Sequence, residues 1–182
     1  MPIDVDTFRL AMRRLAAGVC LITTETLEGA RTGMTATAVC SVSAHPPTLL
    51  CCVNRKNSSY QAIAHARAFA VNVLALDDRT LADHFAQPIS SVEKYARGLW
   101  GQLETGAPIL ESALASFDCR LSNAVEVGTH GILFGEIHAT QVRAVQSKPL
   151  LYAHGGYGGF AAMAAAGDSD SLWIPSWDEQ DY

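Results

Sequence analysis

Three runs rich in Val, Thr, Ile, Cys and Ala (Gly18–Thr24, Thr32–Ser43 and Thr48–Val53) follow one another with breaks at Glu28-Gly29 and His45-Pro46-Pro47. Connections this tight join antiparallel neighbours, because a parallel partner needs a crossover of roughly a dozen residues. Phe69–Leu76 reads as another strand, and in Ala115–Val127 the residues Phe117, Cys119 and Leu121 alternate with Asp118, Arg120 and Ser122. Gly131–Val142 and Leu150–His154 follow, with Gly135 breaking the alternation of the former as a bulge would. Helices are inserted rather than alternating regularly. They are Asp6–Ala17, capped by Asp6 or Thr7, then Ser58–Arg67, then Asp78–Phe85 with its acid-rich first turn. Gln87–Pro108 reads as an ordered loop with at most one helical turn. Six or seven short strands with peripheral helices predict a mainly β fold, an antiparallel sheet closed into a barrel.

A chain of 182 residues, 49% apolar, is one compact domain without room for a dinucleotide-binding domain beside a substrate domain. The net charge of -5 argues against sequence-independent nucleic-acid binding. All of that charge sits in Gly167–Tyr182, whose five acids are unmatched by Lys or Arg. A neutral domain over 1–166 and an acidic tail over 167–182 are therefore expected, the tail peripheral or wrapped on a dimer and dispensable for ligand binding. Five cysteines, with no C-x-x-C pair, lie in apolar runs and read as packed free thiols of a reducing, cytoplasmic compartment. No run reaches the ~18 apolar residues of a membrane span and no signal core opens the chain, so neither insertion nor secretion is expected.

The usual catalytic and metal patterns do not occur. The six histidines lack helical ligand spacing, so no metal is expected, and no G-x-S-x-G is present. Gly156-Tyr157-Gly158-Gly159-Phe160-Ala161 matches the dinucleotide fingerprint, but the chain ends too soon to build the parallel sheet that the fingerprint needs. It reads instead as a flexible Gly-rich turn ending the last barrel strand. More informative is Thr32-Gly33-Met34-Thr35-Ala36-Thr37-Ala38-Val39-Cys40-Ser41-Val42-Ser43, where small and hydroxylated residues fill nearly every position. Small side chains let a large planar ligand approach the backbone, and Thr35, Thr37, Ser41 and Ser43 would share a face. The polar, basic Asn54-Arg55-Lys56-Asn57-Ser58-Ser59 then runs into a helix N-terminus suited to a phosphate, although Ser58 or Ser59 would equally serve as a simple cap.

TGMTATAVCSVS, HPPTLLCCVNRKNSSY, SFDCRLSNAVEVGTHGILFGEI and PLLYAHGGYG, in that order over Phe8–Gly158, resemble the short-chain flavin reductases, the reductase components of two-component flavin-dependent monooxygenases. The resemblance implies an FMN-binding split barrel, usually a homodimer, that oxidises NADH or NADPH and passes reduced FMN or FAD to a partner monooxygenase. It places Met34, Thr35, Ala36 and Thr37 along the flavin ring, Ser41, Val42 and Ser43 near the ribityl chain, and Cys52, Val53 and Asn54 beside the flavin. Ser58 and Ser59 would meet its phosphate, and Phe85 would be an apolar contact. His130 would face the nicotinamide as the catalytic residue, with Tyr152, His154, Gly155 and Tyr157 on the nucleotide. Family members often carry an Arg-Gly-x-Tyr-Gly run where this chain has His154-Gly155-Gly156-Tyr157-Gly158, which leaves the choice of nucleotide open. Two alternatives stand beside this reading: a flavin-mediated reductase of another cofactor such as a corrin, and a non-enzymatic flavin- or haem-binding module.

Overall fold

The computed structural model describes residues 3–144 and 147–161; the expected tail over 167–182, with Trp173 and Trp177, lies outside them. The chain opens with helix α1 (Val5–Met12), whose cap is Asp4 rather than Asp6 or Thr7. The Asp4 carboxylate accepts from the Asp6 and Thr7 amides at 3.1 and 2.9 Å. The helix stops short of Ala17 because Ala17–Gly18 is already strand β1, and none of its residues is buried.

The main sheet has seven antiparallel strands: β2 (Cys20–Glu25), β3 (Arg31–Ala36), β4 (Val39–Ala44), β5 (Pro47–Asn54), β6 (Ala68–Val73), β9 (Ala115–Val127) and β10 (His130–Val142). Their order is β3-β2-β6-β9-β10-β5-β4. The two edges, β3 and β4, are consecutive in the chain and joined only by Thr37 and Ala38. The sheet must therefore curl until its edges meet at that dipeptide without pairing, which makes a barrel split along one seam. The single strand expected over Thr32–Ser43 is thus two strands, because each half pairs with a different neighbour, β3 with β2 and β4 with β5.

Burial explains the apolar run of β2. Cys20 and Ile22 point into the barrel with Val53, Phe69 and Leu133, while Leu21 points the other way, into a second cluster with Val19, Phe85, Leu110 and Leu150. Helix α2 (Ser58–Ala66) adds Ile63 to the barrel core, and α3 (Arg79–Ala86) adds Phe85 to the outer one. Gly135 is not itself bulged: the extra residue beside it is Ser122 of β9, and a second irregularity falls at His138. What Gly135 supplies is space, since a Cβ there would stand 2.5 Å from Phe69 Cζ.

Two expected loops carry strands. Gln87–Pro108 contains helix α4 (Ser91–Tyr95), closed by a Ser90–Glu93 capping box, and then β7 (Trp100–Gln102), which pairs with β8 (Pro108–Leu110). Three-residue strands offer too little alternation to be read from sequence. The Gly156 run is no flexible turn either; it is β12 (Gly156–Gly159), paired with β11 (Leu150–Ala153) across the two-residue turn His154-Gly155. Both turn residues have positive φ, +54° and +82°, the geometry that matches strand twist in a tight hairpin. The small sheet β1-β11-β12 lies beside the main one, joined through Val19, whose amide donates to Leu150 O and whose carbonyl accepts from Leu74 N.

Candidate functional site

The seam holds a groove of about 670 Å³, in the range of small-molecule sites. Met34, Thr35, Ala36, Thr37 and Ala38 line it from the end of β3 through the link, joined by Cys52 and Asn54 from β5. His130 enters from the start of β10, directly opposite Asn54 in the ladder, and Tyr152 and Tyr157 enter from the β11–β12 hairpin. The chain thus brings residues from five segments to one surface. Phe8 and Met12 of α1 also line it, with Val19 and Ala86. The sequence places these apolar α1 residues on one face of an amphipathic helix, and their i, i+4 spacing alone does not distinguish a core from a groove.

An edge strand lacks one neighbour, and β3 is held instead by side chains. Thr35 Oγ1 donates to Ala82 O at 2.6 Å, and Tyr95 donates its hydroxyl to Thr32 O at 2.8 Å. Lys94 Nζ donates to both Gly33 O and Phe85 O, each at 3.0 Å. Burial lowers the Lys94 ammonium below its usual range and pushes the Tyr95 phenol up, consistent with groups recruited for structure. The Phe85 ring packs against both Tyr95 and Trp100, which also touch each other, in a cluster of three rings beside this strand.

On the aromatic side, Tyr152 and Tyr157 meet edge to face at 5.4 Å, and the Arg79 guanidinium lies 5.8 Å from the Tyr157 ring. Burial raises the Tyr157 phenol, and Asp83 acts in the same direction. His130 is exposed, with Nδ1 in hydrogen-bond contact with Thr129 Oγ1 at 2.8 Å. Burial also raises the Cys52 thiol, with Cys40 adding to the shift. This is a packed thiol rather than an activated nucleophile.

Other expected residues lie elsewhere. Ser41, Val42 and Ser43 sit on β4 outside the groove lining, and a register shift between Ser41 and Ser43 breaks the hydroxyl face expected with Thr35 and Thr37. Val53 points into the barrel core because its strand neighbours Cys52 and Asn54 take the groove side. Phe85 is fully buried. At α2 the cap is Asn57, accepting from Ser59 N at 2.9 Å; Ser59 is buried against Thr32 at 3.1 Å and Ser58 is exposed. Beside them a cavity of about 480 Å³ is lined by Asn54, Arg55, Lys56 and Thr129, so Asn54 joins it to the groove. Arg55 pairs there with Glu126 at 2.8 Å. His154 and Gly155 form the hairpin turn at the rim, where His154 Nδ1 lies 3.3 Å from Arg14 Nη1.

Among the described residues no helix is long and apolar enough to cross a membrane, and no cluster of three potential metal ligands occurs. The chain is 43% identical over 157 residues, 86% of its length and 77% of the relative's, to an FMN reductase (NADH), RutF 1, of Methylorubrum extorquens. Its fold superposes on the flavin reductase PheA2 with a TM-score of 0.78 at 34% identity, covering 88% of this chain and all of that one (100%). It also superposes on nitrilotriacetate monooxygenase component B from Mycobacterium thermoresistibile at 28% identity, with a TM-score of 0.82 and coverage of 91% and 93%. These likenesses identify the architecture as the antiparallel split barrel of flavin reductases. With the flavin reductase like domain model matching residues 12–161, nearly the whole described chain, this protein belongs to the flavin reductase family.

Proposed function

We propose that this chain is an NADH-dependent reductase of FMN that hands reduced flavin to a partner monooxygenase and works as a homodimer. The carrying observation is the composition of the seam groove. Small residues, Thr35 to Ala38, leave backbone accessible to a flat ring, while His130, Tyr152 and Tyr157 add aromatic and hydrogen-bonding surface for a second ring. The residues present fit a flavin: the groove is continuous through Asn54 with the basic cavity at Arg55 and Lys56, so a ring in the seam has cationic groups within reach of a terminal phosphate. The RutF relative's name supports FMN and NADH, and component B of a monooxygenase supports the kind of partner. Exposed Leu10 on α1, and exposed Val125 and Val127 on β9, support a second copy as cover.

A bound FMN would supply the acceptor for the hydride, one proton with two electrons, that leaves C4 of the dihydronicotinamide as NADH becomes NAD⁺. The protein then needs no strong acid or base, only geometry. His130 orients the carboxamide of the nicotinamide through its ring nitrogens. The Tyr152–Tyr157 pair, stiffened by Arg79, limits how the two rings slide and excludes water. The bonds from Thr35, Lys94 and Tyr95 keep β3 in register beneath the flavin. An anaerobic absorbance titration with NADH or NADPH in the presence of FMN or FAD tests the reading. Bleaching of FMN by NADH is expected, and a flavin spectrum that neither nucleotide bleaches overturns it in favour of a binding module.

A further inference from the structure

A second cavity, of about 430 Å³, shares Phe8, Met12, Thr37, Ala38 and Tyr152 with the seam groove and extends it along α1 to Arg13 and Leu15. Its character changes along that path. The shared part is apolar, whereas the far part is lined by Arg9 and Arg13, and Arg14 follows Arg13 in the chain, all three exposed. Arg9 is paired with Asp6 at 3.4 Å. Among the described residues no carboxylate lies within 4.0 Å of the Arg13 or Arg14 guanidinium. Both arginines are tied to the nucleotide side of the groove: His154 N donates to Arg13 O at 2.7 Å, and Arg14 Nη1 lies 3.3 Å from His154 Nδ1. Two uncompensated cations are thus held at the hairpin that carries Tyr152 and Tyr157.

A pyridine dinucleotide is a nicotinamide ribotide joined to an adenylate through a diphosphate bearing two negative charges. If the nicotinamide lies at His130 and Tyr152, the remainder of the molecule must leave the groove, and the α1 cavity is continuous with it at Tyr152. We infer that this cavity is the adenylate subsite: Arg13 and Arg14 hold the diphosphate, and the apolar surface of Phe8, Met12 and Leu15 receives the adenosine. The inference rests on the proposed reductase activity and specifies how that same site selects a dinucleotide over a mononucleotide. Charge-assisted bonds to a diphosphate are directional for guanidinium, so arginine suits the task better than lysine.

The test compares the Arg13→Ala/Arg14→Ala double variant with the unmodified chain, using FMN as acceptor and either NADH or reduced nicotinamide riboside, which lacks both phosphates and the adenosine. Loss of charge-assisted bonds raises KM for NADH about tenfold or more, with kcat and FMN affinity unchanged. Kinetics with the riboside stay as they were. KM for NADH in the unmodified chain also rises with ionic strength, and the double variant loses that dependence. Arg13→Lys/Arg14→Lys recovers part of the loss. An unmoved KM for NADH, or equal losses with both donors, overturns the subsite. A loss that disappears when riboflavin replaces FMN would assign the arginines to the flavin phosphate, and that too overturns it. Failure of the unmodified chain to oxidise NADH with any flavin refutes the reductase reading itself, and the subsite with it; normal turnover without a donor-specific effect refutes the subsite alone.

Discussion

Replacing Gly33 with alanine places one methyl where β3 crosses α3. An ideal Cβ there stands 2.9 Å from Phe85 Cε1, 3.1 Å from Ile22 O and 3.2 Å from Thr23 Cγ2. The Phe85 ring, 1% exposed and packed at 5.4 Å from Tyr95 and 5.5 Å from Trp100, has little room to turn, and the Ile22 carbonyl belongs to the neighbouring strand. Overpacking of this kind costs about 1–3 kcal/mol. The entropy removed from the unfolded chain returns about 0.4–1 kcal/mol, so a net loss near 1–2 kcal/mol is expected in urea unfolding. The functional consequence is separable. β3 must move by a few tenths of an ångström, and Met34, Thr35 and Ala36 move with it, so the dissociation constant for FMN by fluorescence quenching rises about threefold to tenfold. Gly135→Ala is the control. Its Cβ meets Phe69 Cζ at 2.5 Å and Cys119 Cβ at 2.9 Å, inside the barrel and away from the seam. It should cost about 3 kcal/mol while leaving FMN affinity within about twofold. Unchanged FMN affinity in Gly33→Ala, or a larger shift in Gly135→Ala, would refute the claim that β3 packing sets the groove.

His130→Ala is expected to raise KM for NADH about tenfold in steady-state assays while FMN affinity stays within about twofold; equal losses in both would contradict its placement on the nicotinamide. Asn72 is fully buried, donates to Thr23 Oγ1 at 3.0 Å and accepts from Leu110 N and Ser116 Oγ, each at 2.9 Å. Asn72→Ala leaves those partners unsatisfied and should lower unfolding stability by about 3 kcal/mol, measured by denaturant titration. Thiol labelling followed by peptide mapping should find exposed Cys40 modified first and Cys52 slowly, with FMN protecting Cys52. Burial pushes Cys20 and Cys119 up to about 12 and Cys51 higher still. At mildly alkaline pH these three hold almost no thiolate and should react only on unfolding, so rapid modification of Cys51 in the folded protein would contradict the buried assignment.

Much of the site is legible in the sequence because its lining is local. Met34 to Thr37 form one uninterrupted run of small residues, and Cys52 and Asn54 sit on one face of a strand whose alternation is plain. The expected residues that fall outside the groove lining do so for a shared reason. Ser41 to Ser43 read as part of that run because a sequence does not reveal that the strand ends at Ala36 and restarts, at the other edge of the sheet, at Val39. Phe85 reads as a groove contact, but the register of α3 turns it into the outer core. Phe8 and Met12 have a spacing that fits core and groove equally, and only the position of α1 over the seam decides between them.

By itself the sequence determined the class of the fold, since short β-rich runs with tight connections admit little but an antiparallel sheet, and the order of its motifs determined the family. It also determined the chemistry of individual residues: small along the seam, basic near the helix that follows β5, aromatic in the last hairpin. What only the tertiary structure decided is where these pieces meet. The seam exists because β3 and β4 are consecutive in the chain yet opposite in the sheet, and that closure depends on pairings across more than eighty residues, as between Thr48 and Glu136. Contacts of such separation leave no periodic trace in a sequence, because they are set by the curl of the whole sheet rather than by neighbours along the chain. The contact that fixes Arg14 beside His154 is of the same kind.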